Sequence, residues 1–351
     1  MDVDSFKVGR RTLFTEVWND MKKKQFAPIY LVYGTEMFFM NETKERLIRN
    51  AMNDEEVEMN VSTYDCSETP VEVAMEDAET LPFFGERKVV ILNHPFFLTG
   101  EKGKGKVEHQ LKPFETYIQQ PAPYTILFIA APYEKLDERK KLTKILKKHA
   151  VVLEAKKLNE QELKRWIRLR AEEHECTIEP EAIEQLLIYS GTNMLLLASE
   201  IDKMCLYVKG QHPITVEVVQ RLASKSLEQN VFSLIDQVIK RQVDQALAVY
   251  YDLLKQNEDP LKILALLASQ FRLIYQSKEL ARRGYSQQQI ASHLKVHPFR
   301  VKLALGQAKG FSDEELMKYM NLLAEADFRI KSGYVAKELA IELFFFQLQN
   351  G

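Results

Sequence analysis

The first residues whose pattern could do chemistry are Gly34, Thr35 and Glu36, which follow a short apolar run and precede a helix-like segment. Backbone N–H groups at the start of a helix attract anions, so a loop in this position can bind nucleotide phosphates. The phosphate-binding pattern G-x-x-x-x-G-K-[ST] requires a second glycine and a lysine, and residues 34–42 supply neither. Glu36 and Glu42 would also repel a triphosphate. The sequence therefore predicts a degenerate nucleotide loop.

The later strand-like runs also lack the acidic residues that a nucleotide hydrolase needs. The run 88–92 leads into Asn93 and His94, and the run 127–130 leads into Ala131, so neither ends in the acidic pair that would hold magnesium. The hydrolase pattern G-x-S-x-G is absent as well. We therefore expect no catalysis by this chain alone, and no cofactor.

Two further groups of side chains have the types that bind metal ions. Residues 172–176 read Glu-Glu-His-Glu-Cys, and His293 and His297 have the i, i+4 spacing of two ligands on one helix face. The first group ends an amphipathic helix, where a solvated acidic face is the simpler interpretation. Pro298 should begin a new helix and so separate the two histidines. The sequence therefore predicts no metal site.

The composition is that of an ordinary water-soluble protein. The 48 basic and 50 acidic residues nearly cancel, so any phosphate contact must come from a local basic patch. Three separated cysteines, Cys66, Cys176 and Cys205, suggest neither a disulfide framework nor a paired metal knuckle, which is typical of a reducing cytoplasm. Residues 1–10 lack a signal-peptide core, and no apolar run is long enough to span a membrane.

The elements that must position these residues change in type along the chain. Up to residue 155, short apolar runs alternate with helix-like segments, a pattern typical of a parallel sheet covered by helices on both faces. Beyond that point only helix patterns remain. We therefore predict three domains: a degenerate α/β domain at 1–155, an all-α lid at 156–225 and an all-α collar at 226–351.

The most informative segment lies between a helix rich in acidic residues and the strand that follows it. Pro82 and Gly85 should end the helix and make a turn, and turns run over the surface. Leu81, Phe83 and Phe84 would then lie at an exposed tip, where clustered aromatic residues usually mark a protein interface. The alternative is that both rings fold back under the sheet.

Taken together, five segments resemble the delta subunit of the bacterial DNA polymerase III clamp loader, a family of the AAA+ type. The likeness extends over nearly the whole chain, and the combination is far more specific than any one segment. The segments are Tyr33-Gly34-Thr35-Glu36, residues 81–90, residues 135–141, Gly191-Thr192-Asn193-Met194 and residues 200–204.

The resemblance implies a degenerate AAA+ module, a helical lid and a collar that packs into a pentameric ring with clamp-loader ATPase and delta-prime subunits. It also implies that a hydrophobic wedge, here Leu81, Phe83 and Phe84, binds the beta sliding clamp and opens one clamp interface. ATP would enter through the partner subunits, and primer-template DNA would bind within the assembled complex. The chain itself would be a non-catalytic cytoplasmic subunit. Phe83 is bulkier than the leucine in the Ser-Leu-Phe version of the wedge.

Five lysines could contact the DNA backbone. They belong to a predicted helix over 136–148, whose apolar residues face the core and leave a basic face. Contacts between such a face and phosphates would be salt-dependent and independent of sequence. A solvated basic face is the alternative. The five residues are Lys140, Lys141, Lys144, Lys147 and Lys148.

Two helix-like segments near the end support a rival class of function. Residues 286–294 and 298–305, joined by three residues, form a helix-turn-helix pattern typical of sequence-specific DNA-binding regulators. The second helix offers mainly Arg300 and Lys302 as cations, and helix pairs with short turns are common in all-α collars. A third class, a scaffold from an unrelated degenerate ATPase, fits a chain that binds neither clamp nor loader ATPase.

Tyr334 lies in a short interruption between the last two predicted helices. The resemblance makes it a candidate for the aromatic ring that the collar places near the primer end. The alternative is a buried tyrosine that caps a helix.

Overall fold

The structure, a computed structural model, describes residues 13–100, 107–224 and 226–349. These residues divide into two compact units, with the boundary between Lys157 and Leu158. The predicted end of the α/β domain, at residue 155, lies close to this boundary. The second predicted boundary, between lid and collar, falls inside the helical unit and stays a prediction.

The first unit alternates strands and helices. Its strands are β1 (Ile29–Gly34), β2 (Val61–Asp65), β3 (Lys88–Asn93), β4 (Thr125–Ala131) and β5 (Val151–Ala155). Its helices are α1 (Phe14–Lys22), α2 (Met37–Ala51), α3 (Asp54–Asn60), α4 (Val71–Ala78), α5 (Leu111–Gln119) and α6 (Lys141–His149). The sequence-based prediction omits α1, α3 and α5, which are helices of nine, seven and nine residues.

The strands form one parallel sheet in the order β2-β3-β4-β1-β5. β1 lies between β4 and β5, and all six of its residues are buried, as expected for a strand covered on both faces. Its odd-numbered residues pack into a core with α4, α5 and α6. Successive side chains of a strand point to opposite faces, and α2 packs against β1 and β5.

The second unit consists of helices. They are α7 (Glu160–Glu173), α8 (Pro180–Ser190), α9 (Met194–Val208), α10 (Val216–Leu222), α11 (Leu227–Ile239), α12 (Val243–Lys255), α13 (Pro260–Arg282), α14 (Gln287–Leu294), α15 (Pro298–Ala308), α16 (Asp313–Lys331) and α17 (Lys337–Gln349). Polar side chains accept backbone N–H groups where several of these helices begin, as Asn159, Ser286 and Ser312 do. The predicted fold class, an α/β domain with a parallel sheet followed by helices, is confirmed.

Helices α11 to α13 and α15 to α17 enclose the main core of the second unit. Aromatic rings fill its centre, where the ring centroid of Phe271 lies 5.6 Å from that of Tyr319. One polar network crosses this core: Gln270 donates to Gln307 at 3.0 Å, and Gln307 donates to the Asp236 carboxylate at 2.8 Å. Burial raises the pKa of Asp236 despite that hydrogen bond. The network ties α11, α13 and α15 together.

Gly34 lets the ends of two strands approach closely. It has φ +135°, and a Cβ added there would lie 2.1 Å from the carbonyl oxygen of Ala155 on β5. No side chain fits in that space, because the opposing atom is backbone and cannot rotate away. The glycine is therefore required by the sheet, whatever the loop after it binds.

We predict that Gly34→Ala lowers the free energy of unfolding of the first unit by about 2–4 kcal/mol, because the methyl group must push β5 away. Gly284→Ala is the matched control: it also has positive φ, +84°, but nothing lies within 4 Å of its added Cβ. The control substitution should lower the free energy of unfolding of the second unit by only about 1 kcal/mol.

The two tryptophans of the chain, Trp18 and Trp166, lie one in each unit and are both buried, so each can report on its own unit. Urea unfolding followed by Trp18 fluorescence in a Trp166→Phe background measures the Gly34 variant. The reverse background measures the Gly284 control. Equal losses in both variants would show that backbone conformation alone, without steric contact, determines the effect.

Candidate functional site

The segment between α4 and β3 carries three exposed apolar side chains. Leu81, Phe83 and Phe84 are 73%, 71% and 59% exposed, and we call this group the tip. The two rings pack edge to face, with centroids 4.8 Å apart. The alternative that both rings fold under the sheet is wrong. The tip is thus an apolar surface, and a partner that covers it would lower the free energy by removing that surface from water.

The backbone of the tip is held by the side chain of Asn60, the last residue of α3. Its Oδ1 accepts the N–H of Phe83 at 2.7 Å, and its Nδ2 donates to the carbonyl oxygen of Phe84 at 2.7 Å. Asn60 is fully buried. The rings therefore project into water from a backbone that two hydrogen bonds tie to a buried side chain.

A buried lysine anchors the base of the same segment. Lys88, at the start of β3, is only 6% exposed, and its Nζ donates to the backbone carbonyl of Asp77 at 3.0 Å and to Thr80 Oγ1 at 2.6 Å. It also pairs with the Asp77 carboxylate. Burial opposes the charge on Asp77, but hydrogen bonds from Lys88 and from Ser62 outweigh it and lower the pKa of Asp77.

The carbonyl groups at the end of α4 are bonded as well. Thr125 Oγ1 donates to the carbonyl of Ala78 at 2.8 Å, and Tyr124 Oη donates to that of Glu79 at 2.6 Å. The last turn of a helix normally leaves such carbonyls without partners. These bonds and those of Lys88 hold the end of α4, where the segment that carries the tip begins.

Gly34, Thr35 and Glu36, the predicted degenerate nucleotide loop, lie at the end of β1 and before α2. The N–H of Glu36 donates to the carbonyl oxygen of Ala155 at 2.9 Å, so this donor is already used within the protein. Burial raises the pKa of Glu36. Gly34 and Thr35 line a cleft of about 400 Å³. Its charged lining residues are Glu134, Lys135, Glu138, Glu154 and Lys156. Three acidic groups among them make this a poor site for a triphosphate.

The predicted basic helix over 136–148 begins later than expected, at Lys141. The cause is Asp137, whose carboxylate accepts the backbone N–H of Arg139 at 3.0 Å and its Nε at 2.9 Å. An aspartate that bonds the backbone two residues onward forms a turn in competition with the helix. Lys140 consequently precedes the helix.

The structure separates the five candidate lysines into two groups. Lys140 donates to the carbonyl of Phe97 at 2.8 Å, and Lys147 pairs with Glu138 and lies over the ring of Tyr33. These two are engaged within the domain. The other three, Lys141, Lys144 and Lys148, are exposed along one side of α6. Lys141 pairs with Glu115, and Lys144 and Lys148 have no acidic partner among the residues described.

The helix-turn-helix pattern is present as α14 and α15, but its cations face acidic residues of the same unit. Lys302 pairs with Glu160 at 2.9 Å, and Arg300 lies 3.9 Å from Glu228. His297, at the start of α15, makes a 2.7 Å hydrogen bond to the carbonyl oxygen of Leu158. The start of the presumed recognition helix is therefore engaged with other parts of the second unit. That geometry does not favour contact with DNA bases.

Tyr334 follows α16 and is 77% exposed, so the alternative of a buried capping tyrosine is wrong. Its backbone N–H donates to the carbonyl of Arg329 at 3.0 Å, directly after Gly333 with φ +74°. The turn is thus closed by backbone atoms. The ring remains accessible for contact with a partner or with a nucleobase.

The groups with metal-binding side chains do not assemble. His174 Nε2 lies 3.0 Å from an Asp202 carboxylate oxygen, and His297 bonds a backbone carbonyl as described above. All three cysteines are buried as thiols. Within residues 13–100, 107–224 and 226–349, no group of three or more histidine, cysteine or acidic side chains could hold a metal ion. In the same ranges, no helix is both long and apolar enough to cross a membrane.

Sequence patterns do not reveal Asn60 or Lys88 as parts of the site. The partners of Asn60 lie 23 and 24 residues further along the chain. The bonds of Lys88 run back 8 and 11 residues. A lone asparagine beside a strand carries no local signal of such contacts. A lysine at the start of an apolar run, as Lys88 is, hints only weakly that its side chain is buried.

Comparison with known proteins identifies relatives along the whole chain. Residues 30–156 match the family model of the DNA polymerase III delta subunit, and residues 228–348 match that of its C-terminal domain. Residues 159–221 match a model described as a middle domain. The chain is 47% identical to DNA polymerase III subunit delta of Bacillus subtilis over 95% of this chain and 96% of that protein.

A more distant relative and a solved structure agree with this match. The chain is 28% identical to the probable DNA polymerase III subunit delta of Aquifex aeolicus over 59% of each protein. The solved DNA clamp loader delta protein of Bacillus subtilis superposes with a TM-score of 0.80 at 47% identity. That alignment covers 97% of this chain and all of the solved one.

We predict that the isolated chain shows no saturable binding of ATP, with or without magnesium. The reason is that the Glu36 N–H already bonds Ala155, residues 34–42 contain no lysine at the position of the phosphate-binding pattern, and three glutamates outnumber the two lysines that line the cleft. Equilibrium dialysis with labelled ATP tests this, with a phosphate-loop ATPase as positive control. Saturable uptake that unlabelled ADP displaces would contradict it.

Proposed function

The chain belongs to the DNA polymerase III delta subunit family, and from that premise we propose that it binds the beta sliding clamp through the tip and opens one interface of that ring. The observation that carries the proposal is the pair of exposed rings, Phe83 and Phe84, on a backbone bonded to Asn60. Buried aromatic anchors contribute most of the binding energy at protein interfaces.

Opening requires differential binding and no chemistry by this chain. A protein that binds the open clamp more tightly than the closed one shifts the population toward the open form by its difference in affinity. The degenerate loop between β1 and α2 supports a non-catalytic role. In the proposed assembly, ATP acts through clamp-loader ATPase subunits, which join this chain and a delta-prime subunit in a heteropentamer in the cytoplasm.

We also propose three domains with different tasks. The α/β domain (1–155) would carry the clamp-binding tip, the lid (156–225) would connect, and the collar (226–351) would join the partner subunits. The three family models match residues 30–156, 159–221 and 228–348, which supports this division. Exposed apolar residues on α16 and α17, among them Phe328, Leu339 and Phe346, are compatible with a collar that other subunits cover.

Primer-template DNA is proposed to contact this chain only within the assembled complex. The exposed row Lys141, Lys144 and Lys148 on α6 supports phosphate contacts, and the exposed ring of Tyr334 supports contact with a base near the primer end. A separate observation argues against a sequence-specific regulator: the cations of α15, Arg300 and Lys302, lie against acidic residues.

We predict that the double variant Phe83→Ala/Phe84→Ala weakens clamp binding by roughly 100-fold or more, because it removes both apolar anchors. Folding and binding to the loader ATPase should be unchanged, since exposed rings contribute little to the core. Surface plasmon resonance against immobilised clamp measures the loss. Phe328→Ala is the matched control, because this exposed ring lies on α16, in the other unit.

Two results would contradict the proposal in different ways. Unchanged clamp affinity in the double variant would remove the tip from the clamp-binding site. Failure of the wild-type chain to capture either clamp or loader ATPase would favour the scaffold class, and salt-resistant binding to one DNA sequence would favour the regulator class.

We predict that Lys144→Ala/Lys148→Ala lowers the salt dependence of primed-DNA binding by the assembled loader. Two lost phosphate contacts should reduce the slope of log K against log salt by about 2. The control Lys22→Ala/Lys23→Ala removes the same charge from exposed residues at the end of α1. Fluorescence anisotropy of labelled primer-template at several salt concentrations measures the slope for each variant. If both variants lower the slope equally, the effect comes from net charge and not from contacts of Lys144 and Lys148.

A further inference from the structure

Asn60 is positioned unusually well to control the tip. Its side chain bonds the backbone N–H of Phe83 and the backbone carbonyl of Phe84, so it holds both residues whose rings face the solvent. Because the Asn60 side chain is fully buried, it makes these bonds from inside the domain to a turn at its surface. The asparagine amide is both a donor and an acceptor, and both functions are used on this one turn.

A second contact from α3 restricts the same turn. Gly85 has φ +70°, and a Cβ there would lie 2.0 Å from Glu56 Oε1. The Glu56 carboxylate is itself held by the Asn53 N–H at 2.9 Å, in the capping box that begins α3. Side chains from both ends of α3 therefore lie against the tip, and this short helix acts as its support.

We infer that Asn60 is a positioning residue for clamp binding, which fixes Phe83 and Phe84 in a single arrangement before the clamp arrives. The inference rests on the proposed function. Without the two hydrogen bonds, the turn would sample several arrangements, and only a fraction of molecules would present the rings correctly. The apparent dissociation constant rises by the inverse of that fraction, and the loss falls mainly on the association rate.

The test compares clamp-binding kinetics of Asn60→Ala with those of the wild-type chain. We expect the association rate to fall about tenfold while the dissociation rate changes little, because the rings and their contacts in the complex are unaltered. A role in stability alone does not produce this division between the two rates, provided that both proteins are folded.

Thr125→Val is the matched control for stability. It removes another buried hydrogen bond at the base of the same segment, from Thr125 Oγ1 to the carbonyl of Ala78 at 2.8 Å, without touching the backbone that carries the rings. Unfolding followed by Trp18 fluorescence verifies that the two variants lose similar stability. The control should keep the wild-type association rate.

Amide hydrogen exchange gives a readout that needs no clamp. In the wild-type chain the N–H of Phe83 is bonded to Asn60 and should exchange slowly. In Asn60→Ala that amide should exchange at least about tenfold faster, while the amides of β3 keep their protection.

The outcomes separate this inference from the proposed function. Equal losses of association rate in Asn60→Ala and Thr125→Val, or unchanged rates in Asn60→Ala when Phe83→Ala/Phe84→Ala abolishes binding, would overturn the positioning role and leave the clamp-binding site intact. If the ring variant also binds the clamp normally, the proposed function fails, and the positioning role for clamp binding fails with it.

Discussion

Two adjacent phenylalanine rings keep one exposed arrangement more readily when the backbone that carries them is held in place. Burying apolar surface yields about 25 cal/mol per Å², so a loose loop carrying two phenylalanines would collapse onto its own domain. Here Asn60 bonds the backbone of both ring residues, and Lys88 anchors the start of the next strand. These hydrogen bonds hold the backbone of the segment that carries the tip.

The loop between β1 and α2 in the same domain is held by contacts within the protein. The sheet brings the ends of β1 and β5 together, and Gly34 is required there because Ala155 leaves no room for a side chain. The N–H of Glu36, the residue just before α2, donates to the carbonyl oxygen of Ala155 at 2.9 Å. These contacts give the loop a structural role at the edge of the sheet.

In the helical unit, tertiary contacts decide which charges remain accessible. Lys302 and Arg300 look like the cations of a recognition helix, but Glu160 and Glu228 face them. Along α6, by contrast, Lys144 and Lys148 are exposed, and no ion pair to them occurs among the residues described. Both segments carry cations in the sequence, but acidic side chains lie opposite those of α15 and not opposite Lys144 or Lys148 among the residues described.

The sequence by itself determined the positions of the five strands and their parallel sheet, the absence of the phosphate-binding pattern and the existence of a turn at Pro82 and Gly85. These features depend on periodicity and on residues within a few positions of one another. Only the tertiary structure showed that Asn60 supports the tip, that α6 begins at Lys141 and that Tyr334 is exposed. Hydrogen bonds across 23 residues, and competition between a turn and a helix, depend on which segments the fold brings together.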